Sequence, residues 1–168
     1  YPGQQGGKAV AEVLFGDYNP AGKLPVTFYR NVSQLPDFED YNMAGRTYRY
    51  MQDVPLFPFG YGLSYTTFGY GKTVLDKNEL TAGQSLKLTV PVTNTGKRNG
   101  EEVVQVYLRK QGDAEGPIKT LRAFKRVSIP AGKTVNVEFD LKDKELEWWD
   151  DQSNTVRVCP GNYDIMVG

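Results

Sequence analysis

From about residue 69 onward, apolar and polar positions alternate with a period of two. Leu86, Leu88, Val90 and Val92 take every second place, and Val104, Val106 and Leu108 repeat the arrangement. Val135, Val137, Phe139 and Leu141 form a third run, and Tyr163, Ile165 and Val167 close the chain. Successive side chains of a strand point to opposite faces, so each run reads as a half-buried strand. Turn chemistry separates them at 93–96, 111–113, 129–132 and 159–162. About seven short strands with one dry and one wet face predict an antiparallel β-sandwich. Pro91 lacks an N–H, which places its strand at an edge or a bulge. Leu121, Phe124 and Val127 break the alternation and predict a bulge there.

Before residue 69 the pattern is different. Ala9, Val10, Val13 and Leu14 share one helical face while Lys8 and Glu12 point away, and Gly16 stands where a helix-ending glycine belongs. The spacing predicts a short helix over about 6–15. Residues 24–29 read as a short strand, and residues 45–51 as another with Arg46, Tyr48 and Tyr50 on one side. Residues 55–68 hold Leu56, Phe57, Phe59, Tyr61, Leu63, Tyr65 and Phe68 among two prolines and two glycines. No regular element tolerates that spacing of breakers, and bare aromatic surface in water is costly. The stretch is expected to be a buried seam, with the preceding residues on one side and the strand-rich region on the other.

Composition narrows the function classes. The chain has 168 residues, 20 Lys+Arg against 20 Asp+Glu, and no histidine. A chain of this size buries roughly 70% of its unfolded surface, enough for a real core. Balanced charge argues against a nucleic-acid partner or an anionic membrane surface, and no apolar run approaches the ~20 residues of a membrane span. Without histidine there is no His-based triad and no His metal site. Cys159 is the only cysteine, so no intrachain disulfide forms and cysteine usage leaves the compartment undetermined. The opening Tyr-Pro-Gly-Gln-Gln-Gly-Gly lacks the charged and apolar regions of a signal peptide.

Five features invite chemistry. The glycines before the helix suggest a phosphate cradle, but their spacing fits neither the P-loop nor the dinucleotide fingerprint, and close backbone approach accounts for them better. Asp37, Glu39 and Asp40 offer the paired carboxylates a glycosidase needs, yet they lie in an aperiodic polar stretch that reads as a solvated face. The acidic run over 143–151 lacks the glycine and glutamate of a calcium loop and reads as a turn. Trp148 and Trp149 are the candidate sugar-binding residues, since a pyranose face stacks well on an indole. The alternative places one Trp in the core and the other against a loop, because neighbours in a strand diverge. Asn31-Val32-Ser33 fits the glycosylation sequon, a pattern short enough to arise by chance.

Three stretches carry a family likeness. YPGQQGGKAVAEVLFGDYNPAGKLPVTFY, PLFPFGYGLSYTTF and, in the sandwich region, NTGKRNGEEVVQVYL with a downstream LRAFKRV resemble glycoside hydrolase family 3. GRTYRY is similar to its xylosidase-like branch. The resemblance implies that residues 1–68 are the end of the family's α/β sandwich domain with a connecting segment, and that 69–168 are its fibronectin type III-like β-sandwich. It further implies a parent that hydrolyses β-linked glucosides or xylosides from non-reducing ends with retention, using two carboxyl groups about 5–5.5 Å apart. In the family the nucleophile lies on an N-terminal barrel and the acid/base glutamate upstream of the PGQ stretch. Neither motif has a match here, so no catalytic residue is assigned, and neither cofactor nor metal is expected.

The implied partners are the barrel and α/β sandwich domains of the same protein, with a β-linked oligosaccharide as the parent's substrate. The implied location is periplasmic or secreted, with any signal peptide upstream. The expected role is support of the active-site domains. The alternatives are a carbohydrate-binding module, for which Trp148, Trp149 and the tyrosine-rich strip over 41–50 are the candidates, or a fibronectin-type interaction module. Val10, Val13, Leu14, Phe57 and Phe59 then need a cover, either this chain's own sandwich or a second copy in a dimer.

Overall fold

The computed structural model describes residues 3–168; Tyr1 and Pro2, which open the Gly-rich turn, lie outside the described residues. Its centre is an antiparallel β-sandwich. In one sheet β3 (Leu86–Asn94) pairs with β6 (Thr134–Leu141) along one side and with β1 (Phe68–Tyr70) and β2 (Val74–Leu75) along the other. In the second, β4 (Gly100–Lys110) runs between β5 (Thr120–Ile129) and β9 (Tyr163–Val167). A short ribbon of β7 (Trp148–Asp150) and β8 (Thr155–Arg157) follows the one-turn helix α3 (Asp143–Leu146). Leu88, Val90, Val92, Val104, Val106, Ile129, Val137 and Leu141 are sealed between the sheets. Burying each such side chain contributes roughly 1.5–3 kcal/mol. The period-two pattern is thus the physical cause of the sandwich.

Pro91 is a correction. Its strand is interior, in continuous register with β6 (Pro91 opposite Asn136). The Pro91 carbonyl accepts from the Gly71 N–H at 2.8 Å, so its nitrogen, on the same side of the strand, faces the break between β1 and β2. The missing donor falls where no acceptor is offered. The bulge lies where the broken alternation puts it: Val106 is opposite Ala123 and Tyr107 opposite Leu121, which leaves Arg122 extra.

β4 departs from the simple inside–outside pattern. Val104, Val106 and Leu108 enter the core, yet Gln105 and Tyr107 on its other face are buried too. Residues 55–68 cover them. The segment before β1 also contains α1 (Gly6–Leu14), which Gly16 ends at φ +80° with its N–H on the Val13 carbonyl. Residues 24–29 form no strand; a single bridge joins Phe28 to Phe57. Residues 45–51 are also corrected: they hold a one-turn helix, α2 (Thr47–Tyr50), after a turn at Gly45 with φ +71°. A strand would have aligned Tyr48 with Tyr50. The helical turn instead sends Tyr48 to Phe59 and leaves Arg49 and Tyr50 on another side.

The seam is covered on one side only, which corrects the expectation of full burial. Thr66 is buried, and Phe68 packs against the core. Leu56, Phe57, Tyr61 and Leu63 are exposed, Leu63 to 69%. Val10, Leu14 and Phe15 of the α1 region are likewise open, Phe15 to 85%. The chain's own sandwich therefore does not cover this face.

Candidate functional site

The seam is built on the outer face of β4. Phe59 stacks on Tyr48 with ring centroids 4.1 Å apart, and both meet the Tyr107 ring edge-on. The Tyr48 hydroxyl accepts from the Leu121 N–H, beside the bulge. Gly60, at φ +82°, lies so close that a Cβ there would stand 2.6 Å from Gln105 Oε1 and 2.7 Å from the Tyr107 hydroxyl. Only glycine fits both the backbone angle and the space. Gln105 Nε2 donates to the Gly60 carbonyl, and the Tyr107 hydroxyl donates to Gln105 Oε1 at 2.6 Å. Burial, with the Tyr48 hydroxyl adding, pushes the Tyr107 phenol up to about 12.

A partly buried ion pair locks the same junction. Lys23 Nζ reaches both Glu102 oxygens, at 2.9 and 3.2 Å, and the Tyr70 hydroxyl donates to Glu102 at 2.8 Å. Burial first, then the neighbouring Glu102 charge, drives the Tyr70 pKa well above its ordinary value. Asn19 adds a further tie: its Oδ1 accepts from the Tyr65 N–H and the Ser64 hydroxyl, while its Nδ2 donates to the Asn99 carbonyl. Sequence reasoning misses Lys23, Glu102 and Gln105, although a carboxylate and an amide inside a valine-rich strand were the available signal.

The paired tryptophans divide. Trp148 is 3% exposed; its indole donates to Asp113 Oδ2 at 2.7 Å, the Arg122 guanidinium lies over its ring, and Tyr163 meets it edge-on. Trp149, on the opposite face of β7, is 49% exposed, and its indole donates to Asp151 Oδ1 at 2.8 Å. Between α2, the β4–β5 loop and β7 lies a cleft of about 270 Å³, where Arg49, Tyr50, Glu115 and Arg122 join the two indoles. Burial, then the nearby Arg49 charge, pulls the Arg122 guanidinium below its usual pKa. The Asp37, Glu39 and Asp40 cluster is elsewhere and mostly exposed. There Asp40 is held below the usual carboxylate range chiefly by the Asn42 N–H.

Residues 1–65 match the glycosyl hydrolase family 3 C-terminal domain, and residues 102–168 match the fibronectin type III-like domain. The chain belongs to glycoside hydrolase family 3. It is 56% identical, over its full length, to 19% of a xylan 1,4-beta-xylosidase from Xylanibacter ruminicola. Against a periplasmic beta-glucosidase from Salmonella typhimurium it is 37% identical, covering all of this chain and 24% of that one. A solved beta-glucosidase from Chaetomella raphigera superposes with a TM-score of 0.85 at 33% identity, covering 99% of this chain and 27% of that one. The chain thus spans about a fifth to a quarter of the family 3 proteins it matches and corresponds to a C-terminal part of them. The family's fibronectin-like domain is accessory and not catalytic.

Proposed function

We propose that this chain is the supporting C-terminal part of a retaining, exo-acting β-glycosidase of the xylosidase or glucosidase kind, held in the periplasm or secreted. Its partners are the catalytic barrel and the rest of the α/β sandwich domain of the same protein, and a β-linked oligosaccharide is the parent's substrate. The observation that carries this reading is the one-sided seam. Phe59, Gly60 and Thr66 are fixed against the sandwich, while Leu56, Phe57, Tyr61 and Leu63 present an apolar face beyond it. A contiguous face of this kind is a docking surface. In this reading residues 1–68 belong to the neighbouring domain, residues 69–168 form the sandwich proper, and the sandwich holds active-site segments in a productive arrangement.

The test is a chimera in which this chain replaces the equivalent segment of the Xylanibacter ruminicola xylosidase. The chimera is expected to hydrolyse aryl β-xylosides, the same protein lacking the segment to lose that activity, and the free 168-residue chain to give no turnover above a buffer blank. A truncated protein with undiminished kcat/KM overturns the supporting role, and turnover by the repurified free chain overturns the non-catalytic reading. Within the chimera, Tyr107→Ala loosens the seam. Since a displacement of about 1 Å near the chemistry can cost about 100-fold, kcat/KM is expected to fall by about tenfold or more.

A further inference from the structure

We propose that the cleft between α2, the β4–β5 loop and β7 is a surface subsite for one neutral pyranose unit of an oligosaccharide, with Trp149 as its platform. The saccharide class rests on the glycosidase reading above; the site itself rests on its own geometry.

Trp149 is exposed and at the same time fixed, because Asp151 holds its indole N–H. An aromatic face held in place costs little entropy when a ligand lies on it. Trp148 cannot serve beside it, since the Arg122 guanidinium occupies its ring face and its N–H is committed to Asp113. The pair seen in the sequence is therefore one platform and one floor.

The polar groups around Trp149 are of both kinds. Arg49 and Arg122 supply donors, although Arg122 Nη2 is already committed to the Glu147 carbonyl, and neither joins any of the ion pairs formed among the described residues. The Nε atoms of both are buried without a protein acceptor. Glu115 supplies a carboxylate at the rim, and Asp113 and Asp151 line the same space. Asp113 already accepts from the Trp148 indole and the Gly116 N–H. Each sugar hydroxyl both donates and accepts, so a lining of guanidiniums and carboxylates around an indole matches it. Two guanidiniums face three carboxylates, a balance that disfavours a phosphate or a uronate. The volume of about 270 Å³ lies just under the about 300–1,000 Å³ of drug-sized sites, and suits one ring with the rest of the oligosaccharide outside.

Calorimetric titration of the 168-residue chain with xylotetraose and with cellotetraose tests the proposal. Saturable binding of at least one is expected, weakened about tenfold or more in Trp149→Ala and partly restored in Trp149→Phe, with melting unchanged in both. Tyr50→Ala, on the other wall, gives an independent reading and is expected to weaken binding as well. The subsite is overturned by the absence of saturable binding to either tetrasaccharide, or by unaltered affinity in both Trp149→Ala and Tyr50→Ala. Tighter binding of glucuronate or inorganic phosphate overturns the neutral ligand. These outcomes are separate from the chimera's hydrolysis of aryl xylosides: an active chimera with no sugar binding removes the subsite and keeps the supporting role, and the reverse keeps the subsite alone.

Discussion

At the scale of single residues, Trp148 and Trp149 carry the sharpest contrast. Trp148 fills a pocket with Leu108, Cys159 and Tyr163, so Trp148→Ala is expected to cost about 3–5 kcal/mol, as large aromatic deletions do. Trp149→Ala is expected to change stability by no more than about 0.5 kcal/mol. Urea melts of the two variants, side by side, check both values. The buried phenols give a pH expectation. Tyr107 and Tyr163 are each raised to about 12, mainly by burial. Unfolded tyrosines ionise near pH 10. The stability tied to these neutral hydroxyls is therefore complete below pH 10 and drains away as pH rises through 12. Spectrophotometric titration should show them ionising after the exposed tyrosines, and melting should fall over that interval. A Tyr107→Phe variant, lacking the hydroxyl, is expected to lose less stability across it.

The same residues show what a sequence can reveal. The alternation of Leu88, Val90 and Val92 was legible because burial on one face repeats every second residue. The divergence of adjacent tryptophans followed from strand geometry alone. The cleft was not legible, because Arg49, Glu115, Arg122 and Trp149 come from separated stretches that only the folded chain brings together. Pro91 misled for an instructive reason: a proline excludes one hydrogen bond, and here that one bond falls at a gap in the neighbouring strands.

At the scale of elements, the strands and the helices differ in what holds them. β3, β4 and β6 are knit by long ladders around a shared core. α1 has nine residues, buries no side chain fully, and is tied chiefly through the Tyr65 hydroxyl on the Val13 carbonyl and Arg98 on the Gly16 carbonyl. A helix this short is not stable without packing. Limited proteolysis with mass spectrometry is expected to cut first within residues 1–54 and to leave a resistant fragment containing 69–168. A protected N-terminal fragment beside a degraded sandwich would overturn that order. α2 escaped the sequence because four residues are too few to show a helical period; its position comes from the Tyr48–Phe59 stack and from the Arg49 carbonyl accepting the Ile118 N–H. Residues 24–29 carried the composition of a strand, yet they lean on 55–61 through isolated bonds, such as the Leu24 N–H to the Tyr61 carbonyl, without a ladder.

At the scale of the whole molecule, one side of the chain is finished and the other is not. The sandwich closes on itself, whereas Val10, Leu14, Phe15, Phe28, Phe57 and Leu63 stand open. Apolar surface of this extent seeks a partner. The isolated chain is therefore expected to self-associate through this face in a concentration-dependent way. Sedimentation velocity on wild type and on Leu14→Glu/Leu63→Glu checks it: the double variant should shift towards monomer, and a monomeric wild type at high concentration would count against the expectation.

The two-sided burial of β4 has a consequence for how such proteins can be recombined. Its valines belong to the sandwich, while Gln105 and Tyr107, on the same strand, belong to the fit with Phe59 and Gly60. A crossover placed at the apparent boundary near residue 68 would separate a mould from its cast. Family 3 sandwiches exchanged between relatives at that point should therefore be accepted only where the incoming strand brings a matching amide and phenol, or where the crossover is moved upstream so that residues 55–68 travel with the sandwich they were shaped against.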